Sequence, residues 1–209
     1  MDRKGILLVV SGFSGAGKGT LMKELVGRYD NYALSISATT RSPREGEVDG
    51  REYFFRTKEE FEQMIADVAL IEHACYVGNY YGTPRAYVEE QLALGRDVIL
   101  EIEIQGALQI KKRFPDTLLL FVSTPDAETL KNRLIGRGTE SLEVVEKRLS
   151  RASEEAEGIE NYDYFIINDD LDTCVTQVHQ IIQGEHSRVS RNLELINTIK
   201  KDISKFQKG

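Results

Sequence analysis

The chain has 209 residues and a formal net charge of −7, with 41% hydrophobic and 29% charged residues. That composition suits one domain with a sizeable core and excludes a disordered or fibrous protein. The acidic balance excludes a general nucleic-acid-binding surface, since such domains are usually basic, and leaves room only for a local basic cleft.

Short apolar runs alternate with amphipathic stretches along the chain. Ile6-Leu7-Leu8-Val9-Val10 reads as a buried strand, and residues 18–29 as a helix. Residues 35–87 mix Thr, Gly, Tyr and Phe in short strand-like pieces around one helix near 58–67, which predicts an inserted, mostly β subdomain. Residues 97–102 form a second core strand, and 104–114 a helix stopped by Pro115. Residues 117–122 are a continuous apolar strand; Pro125-Asp126 then opens a helix over 126–137. Gly136-Arg137-Gly138-Thr139 reads as a hinge and the charged helix over 142–157 as a mobile lid. A strand over 164–167 and a helical pattern from 170 to about 190 complete the alternation. Continuous apolar strands separated by helices predict an α/β fold whose parallel sheet is covered on both faces. The expected division is a core of 5–34, 88–135 and 160–186, the insert at 35–87, a lid at 136–159, and a polar tail at 187–209 with weak helical periodicity and no assigned function.

The residues between the first strand and the first helix are Gly12-Phe13-Ser14-Gly15-Ala16-Gly17-Lys18-Gly19-Thr20. A strand, a glycine-rich turn and a helix start form a phosphate-binding loop. Its backbone amides and the helix N-terminus face anionic oxygens, and Lys18 adds a full charge. The loop predicts a nucleoside triphosphate ligand. At the position where such loops carry a Ser or Thr for Mg²⁺, this chain has Gly19, with the hydroxyl one residue later at Thr20. The metal is therefore expected to be held by phosphates and water, with no direct bond from the loop.

Four further clusters carry candidate chemistry. Ser37-Ala38-Thr39-Thr40-Arg41-Ser42-Pro43-Arg44 sets two arginines in a hydroxyl-rich, non-helical segment, suited to a second phosphate, with Tyr53 and Tyr81 as phenolic donors. Glu72 follows two aliphatic residues and lies before Asn79-Tyr80-Tyr81-Gly82-Thr83. A buried carboxylate matches the adjacent N1–H and N2–H donors of guanine, while a hydroxyl such as Ser37 or Thr83 matches O6; adenine lacks the N1–H. Arg133, Arg137 and Arg148 supply spread positive charge for phosphoryl transfer, against the plainer reading of a solvated helix face. Glu101-Ile102-Glu103 ends an apolar strand, where ligands sit in open parallel sheets. Cys75 and Cys174 have no metal-ligand spacing, and His73, His179 and His186 form no ligand cluster. No signal peptide or membrane span is visible, so a cytoplasmic protein is expected.

With these residues assembled, the chain resembles the guanylate kinases, P-loop members of the nucleoside monophosphate kinase family, over residues 5–185. The most specific pieces are Ser-Ala-Thr-Thr-Arg-Ser-Pro-Arg-Glu-Gly-Glu (37–47), Gly-Asn-Tyr-Tyr-Gly-Thr (78–83), Gly-Arg-Gly-Thr-Glu (136–140) and Asn-Asp-Asp (168–170). The resemblance implies Mg-dependent transfer of the γ-phosphoryl group of ATP to GMP. It places ATP phosphates on Lys18 and the 12–20 loop, the GMP phosphate on Arg41, Arg44, Tyr53 and Tyr81, and guanine on Ser37, Glu72 and Thr83. It puts Arg137 and Arg148 over the transferring group, Arg133 and Asn168 near the ATP adenine, and Glu101 and Glu103 on GMP, with Glu101 also reaching the metal through water. Many members have Ser at Gly19 and two Asp at Glu101 and Glu103. ATP and GMP are the expected partners; the sequence leaves the oligomeric state open, a homo-oligomer included. Two rival readings stay open: a kinase for another monophosphate such as AMP, and a non-catalytic guanylate-kinase-like binding module.

Overall fold

The structure, a computed structural model, describes residues 4–76, 78–136 and 142–207. In chain order it contains β1 (Leu7–Gly12), α1 (Lys18–Arg28), β2 (Tyr32–Leu34), β3 (Ala38–Thr39), β4 (Phe54–Phe55), α2 (Lys58–Ala66), β5 (Leu70–Tyr76), β6 (Asn79–Pro84) and α3 (Arg85–Ala93). It continues with β7 (Asp97–Glu101), α4 (Ile104–Arg113), β8 (Leu118–Ser123), α5 (Ala127–Ile135), α6 (Leu142–Ala156), β9 (Tyr164–Ile167), α7 (Leu171–His186) and α8 (Leu193–Ser204).

Five strands form a sheet in the order β2-β7-β1-β8-β9, every pair parallel. Because side chains alternate across a strand, neighbours in β1 enter opposite layers. Leu8 and Val10 pack with Leu21 and Leu25 of α1 and Val175 and Val178 of α7. Val9 packs with Val88 of α3 and with Ala107 and Ile110 of α4. The helices thus cover both faces, which is why β8 is buried at every position. Burying each large aliphatic residue contributes roughly 1.5–3 kcal/mol.

A second sheet runs β4-β3-β6-β5 and is mixed, with β3 and β4 parallel and the other pairs antiparallel. Ala38, Phe61 of α2 and Leu70 form its own small core. Its helix α2 starts at a reciprocal cap, in which Thr57 Oγ1 accepts from the Glu60 amide at 3.1 Å and Glu60 Oε2 accepts from the Thr57 amide at 2.8 Å. Strand β5 also joins the main core through Ile71, whose carbonyl accepts from Arg113 of α4 at 2.8 Å.

Asp97 fastens the far end of the main sheet. It is 1% exposed and accepts from the Ile6 amide (2.9 Å) and Asn31 Nδ2 (3.1 Å), with His186 Nε2 at 2.7 Å. His179 stacks on Tyr29 with ring centroids 3.7 Å apart. Both histidines are packing residues, and among the described residues no group of three or more His, Cys, Asp or Glu could hold a metal.

Three elements differ from the sequence expectation. Edge strand β2 and helix α3 were not anticipated as separate elements. Helix α7 ends at His186, short of 190, and a 3₁₀ turn at Val189–Arg191 redirects the chain into α8. That last helix leaves Leu193, Ile199 and Ile203 exposed. Among the described residues no helix is long and apolar enough to cross a membrane.

Candidate active site

The carboxyl ends of β1 and β7 meet where Val10 pairs with Glu101. The chain leaves β1 at Gly12, where a Cβ would lie 2.1 Å from the Val122 carbonyl oxygen of β8, so only glycine fits that approach. It turns and enters α1 at Gly17 in the left-handed conformation, φ 88°. Phe13, Ser14, Gly15, Gly17, Lys18, Gly19, Thr20 and Glu101 line a cleft of about 440 Å³. Lys18 Nζ donates to the carbonyls of Gly12 (2.6 Å) and Phe13 (3.2 Å), which folds the ammonium back over the loop. Burial raises the Glu101 carboxyl pKa, and Lys18 opposes that rise. The buried Ala16 at the centre of the loop donates its amide to Phe13 at 3.0 Å.

Arg148 of α6 reaches this loop, with Nη1 donating to Ser14 Oγ at 3.3 Å. Arg133 of α5 donates Nη1 to the Asn168 carbonyl at 2.8 Å. Asn168 is 5% exposed and turns its side-chain amide onto the loop, donating to the Ala16 carbonyl at 2.8 Å. Arg137 lies outside the described residues, as do Gly138 and Thr139 of the expected hinge.

The second sheet carries a separate basic cluster. The Arg41 guanidinium sits over the Tyr53 ring at 5.3 Å and the Phe55 ring at 5.8 Å, and Tyr53 and Tyr81 lie 6.1 Å apart. Both Glu47 carboxylate oxygens lie 2.9 Å from Arg41 Nη2, and Glu47 Oε2 also accepts from the Arg44 amide at 2.7 Å. The Arg44 amide, Arg41 and desolvation set the Glu47 pKa, which falls below the ordinary carboxyl value. Burial pushes the Tyr53 phenol up. Glu47 and Phe55 had no role in the sequence expectation; the signal was a carboxylate within the same short segment as two arginines.

Glu72 of β5 is 5% exposed, and its Oε1 accepts from Thr83 Oγ1 of β6 at 2.8 Å. Gly106 of α4 makes room for it: a Cβ there would lie 3.2 Å from Glu72 Oε2. Burial raises the Glu72 pKa and outweighs the two Thr83 donors that lower it. The carboxylate therefore has acceptor capacity in excess of what the protein supplies. Ser37 lies one residue before β3, and its carbonyl accepts from the Phe54 amide at 2.9 Å.

Glu103 faces a different set of partners. At the start of α4 its Oε2 lies 3.4 Å from Arg151 of α6, whose Nε donates to Glu155 at 3.1 Å. Burial and the neighbouring Glu103 raise the Glu155 pKa. The structure thus unites the 12–20 loop with Glu101, Arg148 and Asn168, groups Arg41 with Tyr53 and Tyr81, and joins Glu72 to Thr83, while Glu103 is engaged by α6.

The guanylate kinase family model matches residues 4–185. A guanylate kinase of Lactococcus lactis is 49% identical over 93% of this chain and 95% of its own length. One of Bacillus cereus is 52% identical over 91% of this chain and 93% of its own length. The crystal structure of a guanylate kinase from Anaplasma phagocytophilum superposes with a TM-score of 0.73 at 30% identity, covering 90% of this chain and 89% of that one. A phosphate loop, an arginine beside two tyrosines, and a buried carboxylate are thereby set in a chain that belongs to the guanylate kinase family.

Proposed function

We propose that the chain transfers the γ-phosphoryl group of ATP to GMP, giving ADP and GDP, by direct in-line displacement without a phosphoenzyme. The observation that carries the acceptor assignment is Glu72, a buried carboxylate whose pKa is raised despite two donors from Thr83. Guanine N1–H and N2–H would supply the missing donors, and adenine would leave one acceptor position without its partner. That argues against AMP as the acceptor. The lysine-bearing loop with its cleft supports catalysis over the binding-module reading.

In this reading Arg41, Arg44, Tyr53 and Tyr81 take the GMP phosphate, with Ser37 beside Glu72 and Thr83 at the base. Lys18 leaves its two carbonyls for the β- and γ-phosphates. Arg148 and Arg137 stabilise the charge that spreads over the transferring group. Closure over both nucleotides excludes water, a competing acceptor. Arg133 and Asn168 belong to the ATP side, and Glu103 joins GMP once released from Arg151.

The residues present fit Mg²⁺ held chiefly by nucleotide phosphates and water. Gly19 offers no side-chain ligand atom, and Glu101 on the cleft wall is the one carboxylate lining it among the described residues. Glu101 would orient metal-bound water there. When bound, Mg²⁺ neutralises phosphate charge. Both cysteines are free thiols, which accords with the reducing cytoplasm. A homo-oligomer would use the exposed apolar face of α8, and its test is the mass in solution. The function itself is tested by GDP formation from ATP and GMP; its absence would reject the reading.

A further inference from the structure

We propose that Asn168 is a positioning residue for the phosphate loop, acting through the Ala16 carbonyl. Its backbone is fixed twice. The amide donates to the Ser123 carbonyl at 2.8 Å, and the carbonyl accepts from Arg133 Nη1 at 2.8 Å. From that fixed backbone the side chain reaches the underside of the loop, where Nδ2 donates to the Ala16 carbonyl at 2.8 Å. The partner is a carbonyl oxygen, so the side-chain nitrogen is the atom that faces it.

The packing there is tight. Asn168 is 5% exposed and Ala16 is 0% exposed. A Cβ on Gly17 would lie 2.6 Å from Asn168 Nδ2. Glycine at 17 thus serves both the left-handed backbone and the seat of this amide. Pulling the Ala16 carbonyl downward turns the N–H of the same trans peptide plane, that of Gly17, the opposite way, toward the cleft. A loop amide aimed there is what a phosphate chain needs, whatever base it carries. Arg133 shares the same residue, so α5 and the loop form one hydrogen-bonded unit.

This inference rests on the loop being the donor-phosphate site of the proposed kinase. It predicts a loss that is independent of the donor's base, whereas an adenine contact predicts a base-dependent one. The experiment measures affinity of Asn168→Ala for Mg-tripolyphosphate, ATP, GTP and GMP by calorimetry. The isosteric Asn168→Leu gives the same measurement if the alanine variant does not fold.

Removing one buried hydrogen bond should weaken tripolyphosphate, ATP and GTP alike by about 5- to 10-fold, and leave GMP at its acceptor site within about twofold. Weakened ATP with tripolyphosphate unchanged would overturn the proposal in favour of base contact. Equal weakening of GMP would overturn it in favour of a general structural role. Unchanged binding of all four would overturn it outright. Wild-type protein that binds tripolyphosphate but forms no GDP would instead reject the kinase reading, and is scored separately.

Discussion

Both carboxylate oxygens of Glu47 lie 2.9 Å from one guanidinium nitrogen of Arg41. Arg41 Nη1 is meanwhile held by the Ser42 carbonyl at 2.7 Å, and its face lies over two aromatic rings. The guanidinium is fixed before any phosphate arrives, which lowers the ordering cost of binding. Glu47→Gln should raise the KM for GMP about tenfold, roughly 1.4 kcal/mol, with the KM for ATP unchanged. Steady-state kinetics in both substrates check this, and an equal rise for ATP would place Arg41 wrongly.

Glu72 sets a pH dependence. Its carboxyl pKa is raised in the free protein, so as pH falls through that raised value the carboxyl gains a proton and loses acceptor capacity for guanine. GMP affinity should therefore rise with pH across the window just above the ordinary carboxyl value, with a proton released on binding. The GMP phosphate titrates near pH 6 on its own, so guanosine is the cleaner probe. Glu72→Gln should flatten the guanosine profile and lower discrimination against AMP. By the same sign, ionised Glu72 costs stability in the free protein as pH rises, so the glutamine variant should be no less stable near neutrality. A profile identical in wild type and variant would remove Glu72 from the base site.

Gly19 has open space around it: a Cβ there would meet no atom within 4 Å. Gly19→Ser should therefore fold normally, with a gain of about 0.5 kcal/mol from helix propensity. Its hydroxyl would sit where related loops hold a Mg²⁺ ligand, so half-saturation by Mg²⁺ should fall several-fold. A magnesium titration of turnover at fixed ATP checks it; an unchanged midpoint means position 19 does not reach the metal's shell.

Asp97 should matter for stability alone. Asp97→Ala strips the Ile6 amide, Asn31 and His186 of a shared buried acceptor. A loss of about 2–4 kcal/mol is expected by denaturant titration, with KM values unchanged for the surviving folded fraction. A loss below about 0.5 kcal/mol would show that water replaces the carboxylate.

The main sheet was legible because its strands are continuous apolar runs and its helices carry starts such as Asp126 and Asp170, each accepting an amide three residues on. Strand β2 has three residues at a sheet edge, too few to show a period. Helix α3 begins straight after β6 with Pro84 at its cap and no side-chain signal. The phosphate loop was legible because its residues are consecutive. The bracing of Ala16 by Asn168 was not, since the two are 152 residues apart and meet only through β9. Glu103 is legible as a strand-end carboxylate and, through the family resemblance, as a GMP ligand, whereas its engagement with Arg151 depends on how α6 packs.

The most direct test is ADP release from Mg-ATP with GMP, AMP, UMP and CMP offered separately. Turnover with GMP alone is the predicted result. Turnover with another monophosphate, or none with any of them, would contradict the account.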